Sequence, residues 1–127
     1  MVPEDVIQRI REQIEKSERP FFIFDDDADG VSAFLTLYDW CKKGKRMIVK
    51  GRPQVKEEYL GQLRQADPDL VVILDLAVVD EAFLDGVRCP IIWIDHHVSE
   101  EVKQYSNLIQ LNPRIWDADD NRCTSYW

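Results

Sequence analysis

Phe21-Phe22-Ile23-Phe24-Asp25-Asp26-Asp27-Ala28-Asp29-Gly30 decides the fold of this chain. Four bulky apolar residues run without polar alternation into a string of aspartates. Such a run, short and rich in aromatic and β-branched residues, predicts a strand buried on both faces. The pattern recurs twice. Leu70-Val71-Val72-Ile73-Leu74 runs into Asp75, and Ile91-Ile92-Trp93-Ile94 runs into Asp95-His96-His97. Strands of this kind belong to parallel sheets, whose C-terminal ends all lie on one edge, where ligands bind. The fold is therefore expected to gather many carboxylates and two imidazoles in one place. Carboxylates that close repel each other unless cations lie between them, so the pattern points to a metal centre with two ions.

Between these strands the chain alternates helix and strand. A helix is predicted from Pro3-Glu4 to Lys16, with Val6, Ile7, Ile10 and Ile14 on one face. The segment from Gly30 to Lys43 carries Val31, Phe34, Leu35 and Tyr38 at helical spacing. Met47–Val49 reads as a second strand and Gln54–Gln65 as a helix with Val55, Tyr59, Leu60 and Leu63 inward, ended by Asp67-Pro68. A short helix is expected over Asp80–Asp85, a helix N-cap at Ser99 with Glu100 and Glu101 in its first turn, and a last strand over Leu108–Leu111. This rhythm predicts an α/β fold: a mostly parallel, five-stranded, Rossmann-like sheet with helices on both faces.

Bulk properties fit one domain of 127 residues, 45% hydrophobic and 31% charged. No apolar stretch approaches the roughly 20 residues of a membrane span. The three cysteines, Cys41, Cys89 and Cys123, form no CxxC pair, so neither a disulfide framework nor a zinc site is indicated, and a cytoplasmic location is expected. The net charge of −8 argues against binding nucleic acid by charge alone. The cations are nonetheless uneven, with Lys42, Lys43, Lys45, Arg46, Lys50, Arg52 and Lys56 close together. They read either as a solvated helix end and loop or as a surface for phosphates.

Asp25-Asp26-Asp27-Ala28-Asp29-Gly30, Asp75 after its buried strand, and Asp95-His96-His97 resemble the first three motifs of the DHH phosphoesterase family. The continuation Val31-Ser32-Ala33 and the segment Asn112-Pro113-Arg114 resemble its RecJ-like branch, which includes single-strand exonucleases and their archaeal relatives. The resemblance implies a DHH-type sheet and assigns roles. Asp25, Asp27 and Asp29 would be metal ligands, Asp75 would bridge the two ions, and His96 would be the imidazole ligand. His97 would contact the phosphate, Asp95 would orient the histidines, and Arg114 is a further substrate-binding candidate. Gly30 would let the chain turn into the helix beneath the site.

An oxygen-rich site with one imidazole suits Mn²⁺ or Mg²⁺, and two such ions can hold both oxygens of an in-line displacement at phosphorus. The implied activity is hydrolysis of phosphodiester bonds in single-stranded DNA or RNA. Alternatives are a phosphoesterase for short oligonucleotides, cyclic dinucleotides or pyrophosphate, and a replisome scaffold that joins the replicative helicase and other replication proteins. The family's fourth motif, another aspartate, and its C-terminal domain have no counterpart in these 127 residues, which are expected to be the N-terminal part of a longer protein. By themselves they should bind metal weakly and hydrolyse little.

Residue by residue, plainer readings stand beside these. Asp75 alone could cap a following helix. Asp117, Asp119 and Asp120 read as a solvated loop, and Trp40, Trp93 and Trp116 as packing residues.

Overall fold

The computed structural model describes residues 1–98 and 104–127. Ser99, Glu100 and Glu101, with their expected helix start, lie outside the described residues. In chain order the elements are α1 (Glu4–Lys16), β1 (Pro20–Asp25), α2 (Ala28–Cys41), β2 (Lys45–Val49), β3 (Gln54–Val55), α3 (Leu60–Ala66), β4 (Leu70–Leu74), β5 (Val78–Val79), α4 (Glu81–Gly86), β6 (Ile91–Ile94) and β7 (Leu108–Leu111). Single 3-10 turns cover Glu57–Tyr59, Pro113–Ile115 and Thr124–Tyr126.

β1, β2, β4, β6 and β7 form one sheet in the order β2-β1-β4-β6-β7, with every pair parallel. From β1 the chain moves outward to β2, then returns past β1 to β4. The switch in direction therefore falls between β1 and β4, where open α/β sheets leave a crevice.

The unbroken apolar runs serve two cores at once. Phe22, Phe24, Val72, Leu74, Ile92 and Ile94 face α1 and α2. Phe21, Ile23, Val71, Ile73, Ile91 and Trp93 face α3 and α4. Period-two alternation sends successive side chains to opposite faces, so a strand covered on both sides must be apolar throughout. On one face Phe34 of α2 stacks on Phe24 with ring centroids 4.4 Å apart and meets Phe22 edge-on at 5.4 Å. On the other, the Trp93 indole N–H donates to Leu76 O at 2.9 Å, which satisfies its one polar atom inside the core.

Several sequence expectations need correction. The stretch read as one helix from Gln54 is a two-residue strand, a 3-10 turn and a seven-residue helix. β3 pairs in parallel with β5 as a separate ribbon. Val55, read as a helix-face residue, is buried as a strand residue. On α2, Leu35 and Tyr38 are exposed, and the buried face consists of Gly30, Ala33 and Phe34. Trp40 is half exposed rather than packed in the core. α2 ends at Cys41 with Lys42 in the left-handed region (φ 56°), before Gly44. Among the described residues, no helix is long and apolar enough to cross a membrane.

Candidate metal centre

Sheet register builds the site. Phe24 pairs with Leu74, Leu74 with Ile94, and Ile94 with Leu111. The next residues, Asp25, Asp75, Asp95 and Asn112, therefore stand in one row across the sheet's C-terminal edge, with the switch point between Asp25 and Asp75.

Asp75 occupies the middle of this row. It is fully buried and adopts φ +63°, the left-handed region that Asp and Asn tolerate better than other non-glycine residues. It caps no helix; the residue before α4 is Asp80. One of its oxygens, Oδ1, accepts from the Thr124 hydroxyl at 2.9 Å. Its other oxygen, Oδ2, is buried with no hydrogen-bond partner among the described residues. Burial, then the neighbouring Asp27 and Asp29 carboxylates, push its carboxyl up to about 9. A buried carboxylate with a bare oxygen among other carboxylates is an unfavourable arrangement unless a cation completes it.

Asp25 ends β1 and is buried. Its Oδ1 accepts from Asp26 N at 2.9 Å, yet burial, reinforced by the charges of Asp27 and Asp26, raises its carboxyl above the ordinary value. Asp27 is the N-cap of α2, its Oδ1 accepting from Gly30 N at 2.8 Å. Gly30 itself is required by close approach: a Cβ there would lie 2.3 Å from Asp25 O. That packing, rather than an unusual turn, is why glycine stands under the site. Ligand-type atoms of Asp25, Asp27 and Asp75 all lie within 4.8 Å of one another.

A second group of the same kind consists of Asp75, His96 and His97. The two groups share Asp75. His96 Nε2 lies 3.3 Å from Asp75 Oδ1 and 3.4 Å from Asp29 Oδ2. The two imidazole centroids are 4.4 Å apart. His97 Nδ1 lies 2.6 Å from Oδ1 of the buried Asp95. A carboxylate only accepts, so Nδ1 carries the hydrogen and Nε2 is left as the ring's open nitrogen. His97 N also donates to Asp95 Oδ2 at 3.3 Å.

Asp29 belongs to neither three-residue group. Its two oxygens accept from Ser125 N at 2.8 Å and Thr124 N at 3.0 Å. Burial alone would raise its carboxyl, but these donors outweigh it and hold the carboxyl below its ordinary value. Arg114 is turned inward to the loop. Its Nε donates to His96 O at 2.8 Å and its Nη1 to Ala118 O at 2.9 Å. Asn112 Nδ2 donates to His97 O at 2.8 Å, so the residues after β7 grip the backbone of both histidines. Asn112 and Thr124, both buried, were missed as site residues by sequence reading. In the sequence Asn112-Pro113 stands out only as part of a motif, and Thr124 carries no local signal.

Of the basic segment, Lys42 pairs with Asp39, Lys43 donates to Glu15 O, and Lys56 lies 3.8 Å from Glu58. In the acidic loop, Asp117 and Asp119 are exposed, and Asp120 pairs with Arg122. The three cysteines are free thiols.

The sheet order, the covered faces and the acid-lined edge at the switch point make this a RecJ/DHH-like fold. Two solved structures carry the comparison. RecJ from Thermus thermophilus in complex with Mn²⁺ matches with a TM-score of 0.68 at 18% identity, over 95% of this chain and 18% of that one. Exonuclease RecJ bound to manganese matches with a TM-score of 0.67 at 17% identity, over 95% of this chain and 34% of that one. The chain thus spans about a third or less of those proteins, and at such identity the likeness is one of fold. No family model and no curated protein sequence matches the chain.

Proposed function

We propose that this chain is the N-terminal part of a RecJ-like phosphoesterase domain that hydrolyses phosphodiester bonds in single-stranded nucleic acid with two divalent ions, Mn²⁺ or Mg²⁺. The observation that carries the reading is the pair of ligand groups sharing one buried carboxylate, Asp75, whose second oxygen has no partner among the described residues. The donor set fits hard divalent ions, being mostly carboxylate with imidazole on one side. Asp25, Asp27 and Asp75 would hold one ion. Asp75 and His96 of the second group would hold the other, with Asp29 Oδ2 beside the His96 ring at 3.4 Å as a further donor and His97 of that group kept for the phosphate. Bound ions would supply positive charge for in-line displacement at phosphorus and lower the pKa of the attacking water.

The chain's own residues do the rest. Asp75 presents charge to both ions from a backbone fixed between β4 and β6, Asp75 N donating to Ile94 O at 2.9 Å. His97 would contact the phosphate and stabilise charge that develops on it, and Asp95 holds the ring by Nδ1 for that task. Asn112 and Arg114 fix the loop that carries both rings. Arg114 therefore serves the site through the His96 backbone, and the guanidinium is partly spent there. The exposed cations Lys50 and Arg52 follow β2 on the same edge of the sheet and would add to phosphate attraction.

The test is cleavage of labelled single-stranded DNA and RNA by the intact protein. The expected result is Mn²⁺-dependent, chelator-sensitive degradation that Asp27→Asn removes. Asn caps a helix as well as Asp does, so this variant loses ligand charge without losing the α2 cap. Degradation that survives chelation would overturn the reading. Cleavage of dinucleotides in preference to long strands would favour the small-substrate alternative.

A further inference from the structure

Resting on the two-ion reading, we propose that Thr124 is a positioning residue that presets the carboxylates of both ion sites. The 3-10 turn Thr124–Tyr126 lies 49 residues beyond Asp75 and 95 beyond Asp29, yet it touches both. Thr124 is 2% exposed, although threonine is a residue that usually faces water. Its hydroxyl is spent on Asp75 Oδ1, and its amide and that of Ser125 are spent on the two oxygens of Asp29. No other hydrogen-bond donor reaches the Asp75 carboxylate among the described residues, apart from the His96 ring nitrogen at 3.3 Å.

The consequence is directional. A free aspartate side chain can rotate about its last bond and exchange its oxygens. Donation from Thr124 removes that freedom by marking one oxygen. Oδ1 is tied on the Thr124 side, and Oδ2 is left bare inside the carboxylate group with Asp25 and Asp27. Asp29 is tied by both oxygens from the same turn, so the distance between the two acids is set by one rigid piece of backbone. This is the task that outer partners perform at metal sites: they orient a ligand and tune its basicity. Without that turn Asp75 and Asp29 would be free to move independently around the His96 nitrogen they share.

The residue type fits. The Thr124 methyl group fills buried space while the hydroxyl reaches the carboxylate. Valine has the same shape without the donor, alanine has neither, and serine keeps only the donor. Metal affinity should therefore follow the hydroxyl and not the volume.

The experiment is a calorimetric Mn²⁺ titration of the full chain and of Thr124→Val, Thr124→Ala and Thr124→Ser, with thermal melts in chelator alongside. Thr124→Val and Thr124→Ala are expected to bind Mn²⁺ about tenfold more weakly, the lower end of the usual effect of losing an outer partner. Thr124→Ser is expected to stay within about twofold of the parent on the same ground. A merely structural role would move the melts of Val, Ala and Ser variants without this hydroxyl-dependent split. Val and Ala variants that bind Mn²⁺ like the parent would overturn the proposal, as would a Ser variant as weak as Ala. If Thr124→Val does not fold, the Ala and Ser pair decides. Failure of the parent to bind Mn²⁺ would instead sink the two-ion reading itself, so the two failures are distinct.

Discussion

Asp69 and Asp75 flank the same strand, β4, and are treated in opposite ways. Asp69, before the strand, accepts from Ser17 Oγ, from Glu18 N at 2.7 Å and from Arg19 N at 3.1 Å. Burial tends to raise its carboxyl, but these donors outweigh it and hold it below the ordinary value. Asp75, after the strand, is more deeply buried, has one hydroxyl donor and one bare oxygen, and is pushed up to about 9. Asp69 joins α1 to the sheet and stabilises the fold. Asp75 destabilises it unless something outside the chain neutralises the cluster. Counting donors against burial marks Asp69 as a structural acid and Asp75 as the candidate functional one.

The largest effect that sharpens this contrast is on metal. Asp75→Asn should weaken Mn²⁺ binding at least about a hundredfold, since losing a shared ligand costs more than losing an outer partner. Asp69→Asn should leave Mn²⁺ affinity unchanged. Calorimetric titration of both variants checks the pair, and equal losses would erase the distinction. The second effect is on stability in chelator, where the signs should reverse. Asp69→Asn should lose about 1–3 kcal/mol, because donors that met a charge now meet an amide. Asp75→Asn should hold or raise the melting temperature, because it removes a carboxyl whose ionised form is disfavoured by burial and by Asp27 and Asp29. Denaturant melts of the two proteins would break the comparison if both fell alike.

A third prediction concerns pH. In folded, metal-free protein Asp75 keeps a proton that the unfolded chain releases above its ordinary value of 3.8. Its contribution is complete below that value and is lost as pH rises toward about 9. Asp69 and Asp29, held low, contribute above the ordinary carboxylate range and lose that contribution as pH falls through it. Metal-free protein should therefore melt lower at about pH 8 than at about pH 5.5, and Mn²⁺ should reverse most of the difference. A flat profile across that window without metal would show that Asp75 is ordinary. The smallest effect separates the histidines. His96→Ala should weaken Mn²⁺ binding about tenfold, in the range of a lost metal-site partner, and His97→Ala by only a few-fold, because Asp95 already holds that ring by Nδ1. Titration of both variants reads it, and equal losses would make His97 a ligand of the same rank.

Much of this was legible in sequence where the determinants were local. The bounds of β4, β6 and β7 follow from apolar runs alone, and the row of Asp25, Asp75 and Asp95 follows from strands that end in register. β3 and β5 were not legible, because two-residue strands carry no period and Val55 fits a helix face equally well. Leu35, Tyr38 and Trp40 misled because the buried face of α2 is narrow, set by Gly30, Ala33 and Phe34 against β1. Nor does any local pattern join Thr124 to Asp75, since the contact is made by tertiary folding. The resemblance of three motifs named the candidate ligands, while Asn112, Arg114 and Thr124, which hold those residues in place, lie outside the motifs.

The central claim is that Asp75 is shared between two ions, and Mn²⁺ electron paramagnetic resonance of the saturated protein tests it most directly. The account predicts two ions per chain whose spins are coupled through the shared carboxylate, with the separate six-line signal suppressed and restored by Asp75→Asn at high Mn²⁺. A single uncoupled ion at saturation, or two ions that Asp75→Asn leaves coupled, would contradict it.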